Sequence, residues 1–169
     1  YTKKKNFITV TGKFPRAALI QAPNGKLYGM ASYGGTNNLG LIFEYDISAN
    51  TLTPRYSFNS SGGNIPYGTL LLATDGYMYG MTTYGGTNGG GTIFRYDYTT
   101  NGLTSLYSFS PGTGIYPYGS LIQGTNGNLY GTAGYGGFNS VGVVFEYGLS
   151  TNTYSDKYHF EGGRGANPF

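Results

Sequence analysis

The sequence of 169 residues has no cysteine, no tryptophan and a single histidine. Without cysteine there is no disulfide framework, no thiolate metal site and no cysteine nucleophile. Charge is scarce too, at 10% of residues. No long apolar run is present, so no helix of this chain is expected to span a membrane. What fills the chain instead is 31 Gly, 19 Tyr and 10 Phe. Aromatic residues at 17% exclude ordinary disorder, which lacks them. Gly, Tyr, Thr and Asn are mediocre to poor helix formers, which argues against a helical bundle. At 18.1 kDa the chain has the size of one domain and can bury a core without covalent staples.

The net charge of +3 is unevenly placed. Lys3, Lys4, Lys5, Lys13 and Arg16 open the chain with no acid among them. The remainder, with five basic and seven acidic residues, carries −2. No basic face continues the cluster, so it reads as a solvated end strand and nucleic acid is not an expected partner. The sequence opens at Tyr1 rather than Met and stops at Pro168-Phe169. This reads as a segment of something longer or as a processed product.

Self-similarity dominates the sequence. Tyr28-Gly29 recurs as Tyr79-Gly80 and Tyr130-Gly131. Tyr33-Gly34-Gly35 recurs at Tyr84 and Tyr135, and Phe43-Glu44-Tyr45 at Phe94 and Phe145. Tyr56-Ser57-Phe58 returns as Tyr107-Ser108-Phe109 and Tyr158-His159-Phe160. Pro15, Pro66, Pro117 and Pro168 form one further series; Gly12, Gly63, Gly114 and Gly165 form another. Every step in these series is 51 residues. The chain is therefore three repeats and a leading fragment.

Each repeat reads as four short strands. In the second they are Thr69–Ala73, Tyr77–Thr83, Thr92–Asp97 and Leu103–Phe109. Asp75-Gly76 separates the first two, with Asn24-Gly25 and Asn126-Gly127 in the other repeats, a pairing that predicts type I′ hairpins. Asn50, Asn101 and Asn152 mark the turn after the third strand. Alternation has period two: Thr92, Phe94 and Tyr96 face one way and Ile93 and Arg95 the other. Leu103, Tyr107 and Phe109 are expected to share a face of the fourth strand. Four antiparallel strands per 51 residues predict an all-β, β-propeller-like chain built of blades. The expected units are a partial blade over 1–15 and whole blades over 16–66, 67–117 and 118–169. With an outer strand around Tyr1–Val10, the chain holds about thirteen strands.

The 51-residue pattern resembles the GloVer tandem repeats, named for Gloeobacter and Verrucomicrobia. The matching residues run from Asn126-Gly127-Asn128-Leu129-Tyr130-Gly131 through Tyr135-Gly136-Gly137, Val144-Phe145 and Tyr158-His159-Phe160 to Gly165-Ala166-Asn167-Pro168. The resemblance implies secreted or surface-anchored bacterial proteins with many tandem copies, hence an extracellular or cell-surface location. It implies no established reaction and no catalytic residues. The leading fragment departs from the pattern, with Lys5 and Arg16 where the repeats carry tyrosine.

Up-and-down order places the loop between strands two and three on the same rim as the connection between blades. Two loop sets rich in Tyr, Asn and Gly then meet. Tyr33, Asn37, Tyr84, Asn88, Tyr135 and Asn139 come from the first set, Tyr67 and Tyr118 from the second. Tyrosine offers a flat surface with one polar tip, suited with asparagine amides to stacking on sugars. The same residues also suit purely structural work: tyrosines plugging the space between blades, asparagines holding their own loops. His159 reads as an exposed strand residue. Glu44, Arg95 and Glu146 occupy one repeat position with alternating sign, which predicts pairing between neighbouring blades. No G-x-S-x-G, H-E-x-x-H or P-loop occurs, and neither catalytic residue nor cofactor is expected. The function expected is a non-enzymatic scaffold binding a polysaccharide or a surface protein. The alternatives are a structural subunit of a layer or fibre, and part of a polysaccharide-degrading enzyme with its active residues elsewhere. Three blades do not close a ring, so further blades or identical subunits are expected beside bare end faces carrying Phe43, Phe94 or Phe145.

Overall fold

The structure, a computed structural model, describes residues 10–163 and 165–168. The expected strand around Tyr1–Val10 lies outside the described residues, apart from Val10. Among the described residues, twelve strands form three sheets of four, each antiparallel throughout and ordered as in the sequence. The first holds β1 (Ile20–Gln21), β2 (Leu27–Ala31), β3 (Leu41–Asp46) and β4 (Thr51–Ser57). The second holds β5 (Leu71–Leu72), β6 (Met78–Thr82), β7 (Thr92–Asp97) and β8 (Gly102–Ser108). The third holds β9 (Ile122–Gln123), β10 (Leu129–Ala133), β11 (Val143–Gly148) and β12 (Thr153–His159). The first strand of each sheet is shorter than the apolar run that encodes it. One short 3₁₀ turn, Pro111–Thr113, precedes the third sheet.

Each sheet has a leading face, toward the sheet before it, and a trailing face, toward the sheet after it. Tyr28, Met30, Ile42 and Phe58 of the first sheet pack on Met78, Phe94, Tyr96 and Leu103 of the second. One repeat on, Tyr79, Met81, Ile93 and Phe109 pack on Leu129, Val143, Phe145 and Tyr147. Phe58 meets Phe94 edge-on at 5.4 Å, and Phe109 meets Phe145 at 5.2 Å. Burying such a ring stabilises by about 2–3 kcal/mol, and an edge-on partner adds about 1. The stability of this chain therefore lies between sheets as much as within them.

Several local features differ from expectation. At the first hairpin only Gly25 has positive φ (79°), not Asn24. Its N–H donates to the Ala22 carbonyl, giving a three-residue loop rather than a type I′ turn. Gly76 and Gly127 repeat this. Asn24 and Asp75 thus have side chains free to accept the N–H of Lys26 and Tyr77.

The fourth strand of every sheet carries a bulge, where Ile93 pairs Tyr107 but Phe94 pairs Ser105. The extra residue, Leu106, shifts the alternation. Leu103 and Tyr107 therefore lie on opposite faces, Leu103 with Phe94 and Tyr107 with Ile93. Arg55 and Lys157 occupy the bulge in the other sheets.

That position explains a further correction. Glu44, Arg95 and Glu146 find partners within their own sheets, not across blades. Glu44 accepts from Arg55 (2.9 Å), Lys26 (2.8 Å) and Tyr28 (2.7 Å). Glu146 pairs with Lys157, and Arg95 lies 4.5 Å from the centre of the Tyr77 ring. His159 is likewise only half-exposed: its Nδ1 accepts the Phe138 N–H at 3.2 Å. Of the phenylalanines expected on bare end faces, Phe43 is buried with Ala31 and Leu41, and Phe94 and Phe145 are covered by neighbouring sheets.

Candidate functional site

Two kinds of loop build one rim. The loops joining strands two and three fold on themselves through glycine: Gly34 and Gly35 have φ of 96° and 74°. Gly40 then donates back to the Gly34 carbonyl. The connection entering each sheet lies along that sheet's loop. Asn64 and Tyr84 exchange both backbone bonds, at 2.8 and 3.1 Å, as do Ile115 with Tyr135 and Lys13 with Tyr33.

The next residue along each connection has an unusual backbone. Phe14, Ile65, Tyr116 and Asn167 stand one repeat apart, each just before a proline, with φ between 51° and 57°. Such a conformation is strained for a β-branched or bulky residue. Its use is visible in the bonds. The Ile65 N–H donates to Leu39 of the first sheet's loop, and its carbonyl accepts from Thr83 of the second. Tyr116 does the same between Gly90 and Gly134. Ile65 and Tyr116 are thus backbone staples between consecutive sheets.

The staples gather tyrosines. Tyr84 and Tyr116 have ring centres 5.0 Å apart, Tyr67 and Tyr118 5.5 Å, and Tyr116 and Tyr135 6.1 Å. The hydroxyls of Tyr84 and Tyr118 are 3.4 Å apart. That bond, with burial, holds the Tyr118 phenol above its ordinary range. Arg16, at the repeat position of Tyr67 and Tyr118, lies 5.0 Å from the Tyr67 ring centre. Tyr67, Tyr84, Tyr118 and Tyr135 thus join one aromatic group. Tyr33 stands apart, edge-on to Phe14 at 5.9 Å.

The three asparagines do not join the group. Asn37, Asn88 and Asn139 are exposed and each turns its amide back to the end of the fourth strand. They donate to the carbonyls of Phe58 (3.0 Å), Ser108 (3.2 Å) and Phe160 (3.0 Å). Sequence reasoning missed Tyr116, which bridges Tyr84 and Tyr135. The signal for it was its place in the series that precedes the repeated proline. Tyr116 and Tyr135 also bound a cleft of about 300 Å³, completed by Pro111, Ile115, Gly136 and Ser140.

Among the described residues, no cluster of three His, Asp or Glu is placed to hold a metal. No helix among them is long and apolar enough to cross a membrane.

The fold is shared with larger solved structures. TolB from Acinetobacter baumannii is 17% identical, with a TM-score of 0.56, over 82% of this chain and 31% of that one. An ulvan lyase, a polysaccharide lyase, is 17% identical with a TM-score of 0.58, over 88% of this chain and 40% of the other. The extracellular domain of a hybrid two-component system from B. thetaiotaomicron is 16% identical with a TM-score of 0.54, over 84% of this chain and 16% of that one. The chain spans less than half the length of each. These likenesses show a β-propeller-like fold, and the sheets are its blades. No curated protein matches the sequence. The model of the Gloeobacter/Verrucomicrobia repeat matches residues 1–169, the whole chain, and the protein belongs to that repeat family.

Proposed function

We propose that this chain is a non-enzymatic, extracellular binding module whose tyrosine rim holds a polysaccharide of low charge. The observation that carries the reading is the cleft between Tyr116 and Tyr135, continuous with Tyr84, Tyr118 and Tyr67 on a hydrogen-bonded rim. Aromatic faces with polar tips suit the apolar faces and hydroxyl edges of sugar rings. The cleft lining holds no carboxylate, imidazole or amine to act as acid or base, only phenols and the Ser140 hydroxyl. The ulvan lyase of similar fold is recorded bound to -[GlcA(1-4)Rha3S]-, which supports the compatibility of such a scaffold with saccharides. Tyr33, Asn37, Asn88 and Asn139 then shape the rim and stand at the margin of the ligand.

Glycan-array screening of the whole chain tests this, followed by titration of the best hit. Tyr135→Ala and Tyr84→Ala should each weaken binding at least about tenfold, or 1.4 kcal/mol. Asn88→Ala should weaken it less. Binding unchanged in both tyrosine variants would remove the rim from the site.

A further inference from the structure

The third blade departs from the other two at one point of the rim. In the first blade the Ser57 hydroxyl accepts the Thr36 N–H at 3.3 Å, and in the second the Ser108 hydroxyl accepts the Asn88 N–H at 3.2 Å. Each bond ties the loop between strands two and three to the end of strand four. The third blade has histidine at this repeat position, the only histidine of the chain. His159 Nδ1 accepts the Phe138 N–H at 3.2 Å. Gly137 lets the loop come this close, since a Cβ there would lie 2.6 Å from Nδ1. Phe138 stands where the other blades have Thr36 and Thr87, and its ring centre is 4.3 Å from that of the imidazole. The tie is kept, but its acceptor is now a group that titrates.

A neutral imidazole has one donor and one acceptor nitrogen; in the cation both are donors. Accepting at Nδ1 puts the single proton of the neutral ring on Nε2. A second proton must go to Nδ1, where it confronts the Phe138 N–H, and the bond is lost. The positive charge itself is matched. Nε2 lies 3.7 Å from Asp156 Oδ2, and Asp156 Oδ1 is buried with no hydrogen-bond partner among the described residues. The Tyr154 phenol and, across the blade junction, the Tyr107 phenol face that carboxylate. Phenols are uncharged wherever imidazole titrates, and burial raises both of these further. On the same strand Lys157 is paired with Glu146, and Glu161 beyond it is exposed. The residues from Gly136 to Val143, which pack on His159 from the loop and from β11, hold no titratable group. Nor does the connection from Ser110 to Gly114.

The loop so tied is one wall of the cleft, which Tyr135, Gly136 and Ser140 line. Its other ties run from the Gly137 N–H to the Pro111 carbonyl and from the Asn139 amide to the Phe160 carbonyl. We propose that His159 is a proton-operated latch on this wall. The neutral imidazole holds the loop; protonation releases Phe138 and loosens the cleft toward its ligand. Control of ligand binding rests on the saccharide reading above, whereas the latch itself does not.

NMR of the whole chain tests this, following the lone imidazole Cε1–H signal and amide exchange from about pH 8 to about pH 5, the span in which histidine ordinarily changes charge. Protection of the Phe138 amide, corrected for the intrinsic pH dependence of exchange, should fall about fivefold as the imidazole signal titrates, the worth of one hydrogen bond. The Thr36 and Asn88 amides, held by serine, should keep their protection. In His159→Ser the Phe138 amide should keep its protection too. The best glycan-array hit, titrated at both ends of the range, should bind the wild type about fivefold more weakly in acid and His159→Ser equally at both. Phe138 protection that does not follow the imidazole signal overturns the latch, and so does a loss that persists in His159→Ser. A glycan affinity that stays constant while the loop releases overturns control of the cleft. A loop that releases in a chain that binds no glycan upholds the latch and counts against the saccharide reading alone.

Discussion

Ile65 holds a left-handed backbone that β-branched residues avoid, at a cost of about 1–2 kcal/mol. Its equivalent in the last connection is Asn167, a residue that tolerates this conformation. Asn167 also donates its side-chain amide to Gly134, in the loop of the third blade. Ile65→Asn should therefore raise stability by about 1 kcal/mol, moving the melting temperature up by about 2–4 °C in a calorimetric scan. Glu44 gives a pH dependence at the same scale. Burial alone would raise its carboxyl, but the bonds from Arg55, Lys26 and Tyr28 outweigh that and hold it at about 2, against an ordinary 4.5. A depressed folded value means the contribution is complete above the unfolded value and fades as pH falls from 4.5 through 2. Glu44→Gln should cost about 2 kcal/mol at neutral pH. The gap between variant and wild type in urea denaturation should close as pH approaches 2.

At the scale of strands, the Tyr-Gly pairs show what a sequence states and what it hides. Their spacing located the second strand of each blade. The reason for the glycine is across the sheet: a Cβ at Gly80 would lie 2.5 Å from the Phe94 ring, with Gly29 and Gly131 alike under Phe43 and Phe145. Gly80→Ala forces that ring out of the core and should cost about 1–3 kcal/mol in chemical denaturation. Period-two alternation made the third strand legible residue for residue. It failed in the fourth because a bulge adds a residue without changing the composition of the run, so Leu103 and Tyr107 part company. The tyrosines of the rim were legible from their repetition and from strand order. The asparagine amides were not, since a side chain that caps a distant carbonyl looks in sequence like one that waits for a ligand. The staples were hidden for a similar reason: nothing in Ile65 or Tyr116 announces positive φ, which is imposed by the loops on either side.

Across the whole molecule, stability concentrates where blades meet. Phe109 is buried between the second and third blades, while Phe160 at the same repeat position lies on the trailing face of the last. Phe109→Ala should cost about 3–5 kcal/mol and Phe160→Ala clearly less, by urea denaturation. The staples extend this coupling to the rim. Backbone amides in surface loops ordinarily exchange with deuterium within moments, because small local openings expose them. Here the amides of Ile65, Thr83, Tyr116 and Gly134 are tied across blade boundaries. Freeing them requires two blades to separate, so they should exchange as slowly as strand amides, on a scale set by global unfolding. A ligand arriving at this rim meets loops that are already ordered, and its binding enthalpy is not spent on freezing them.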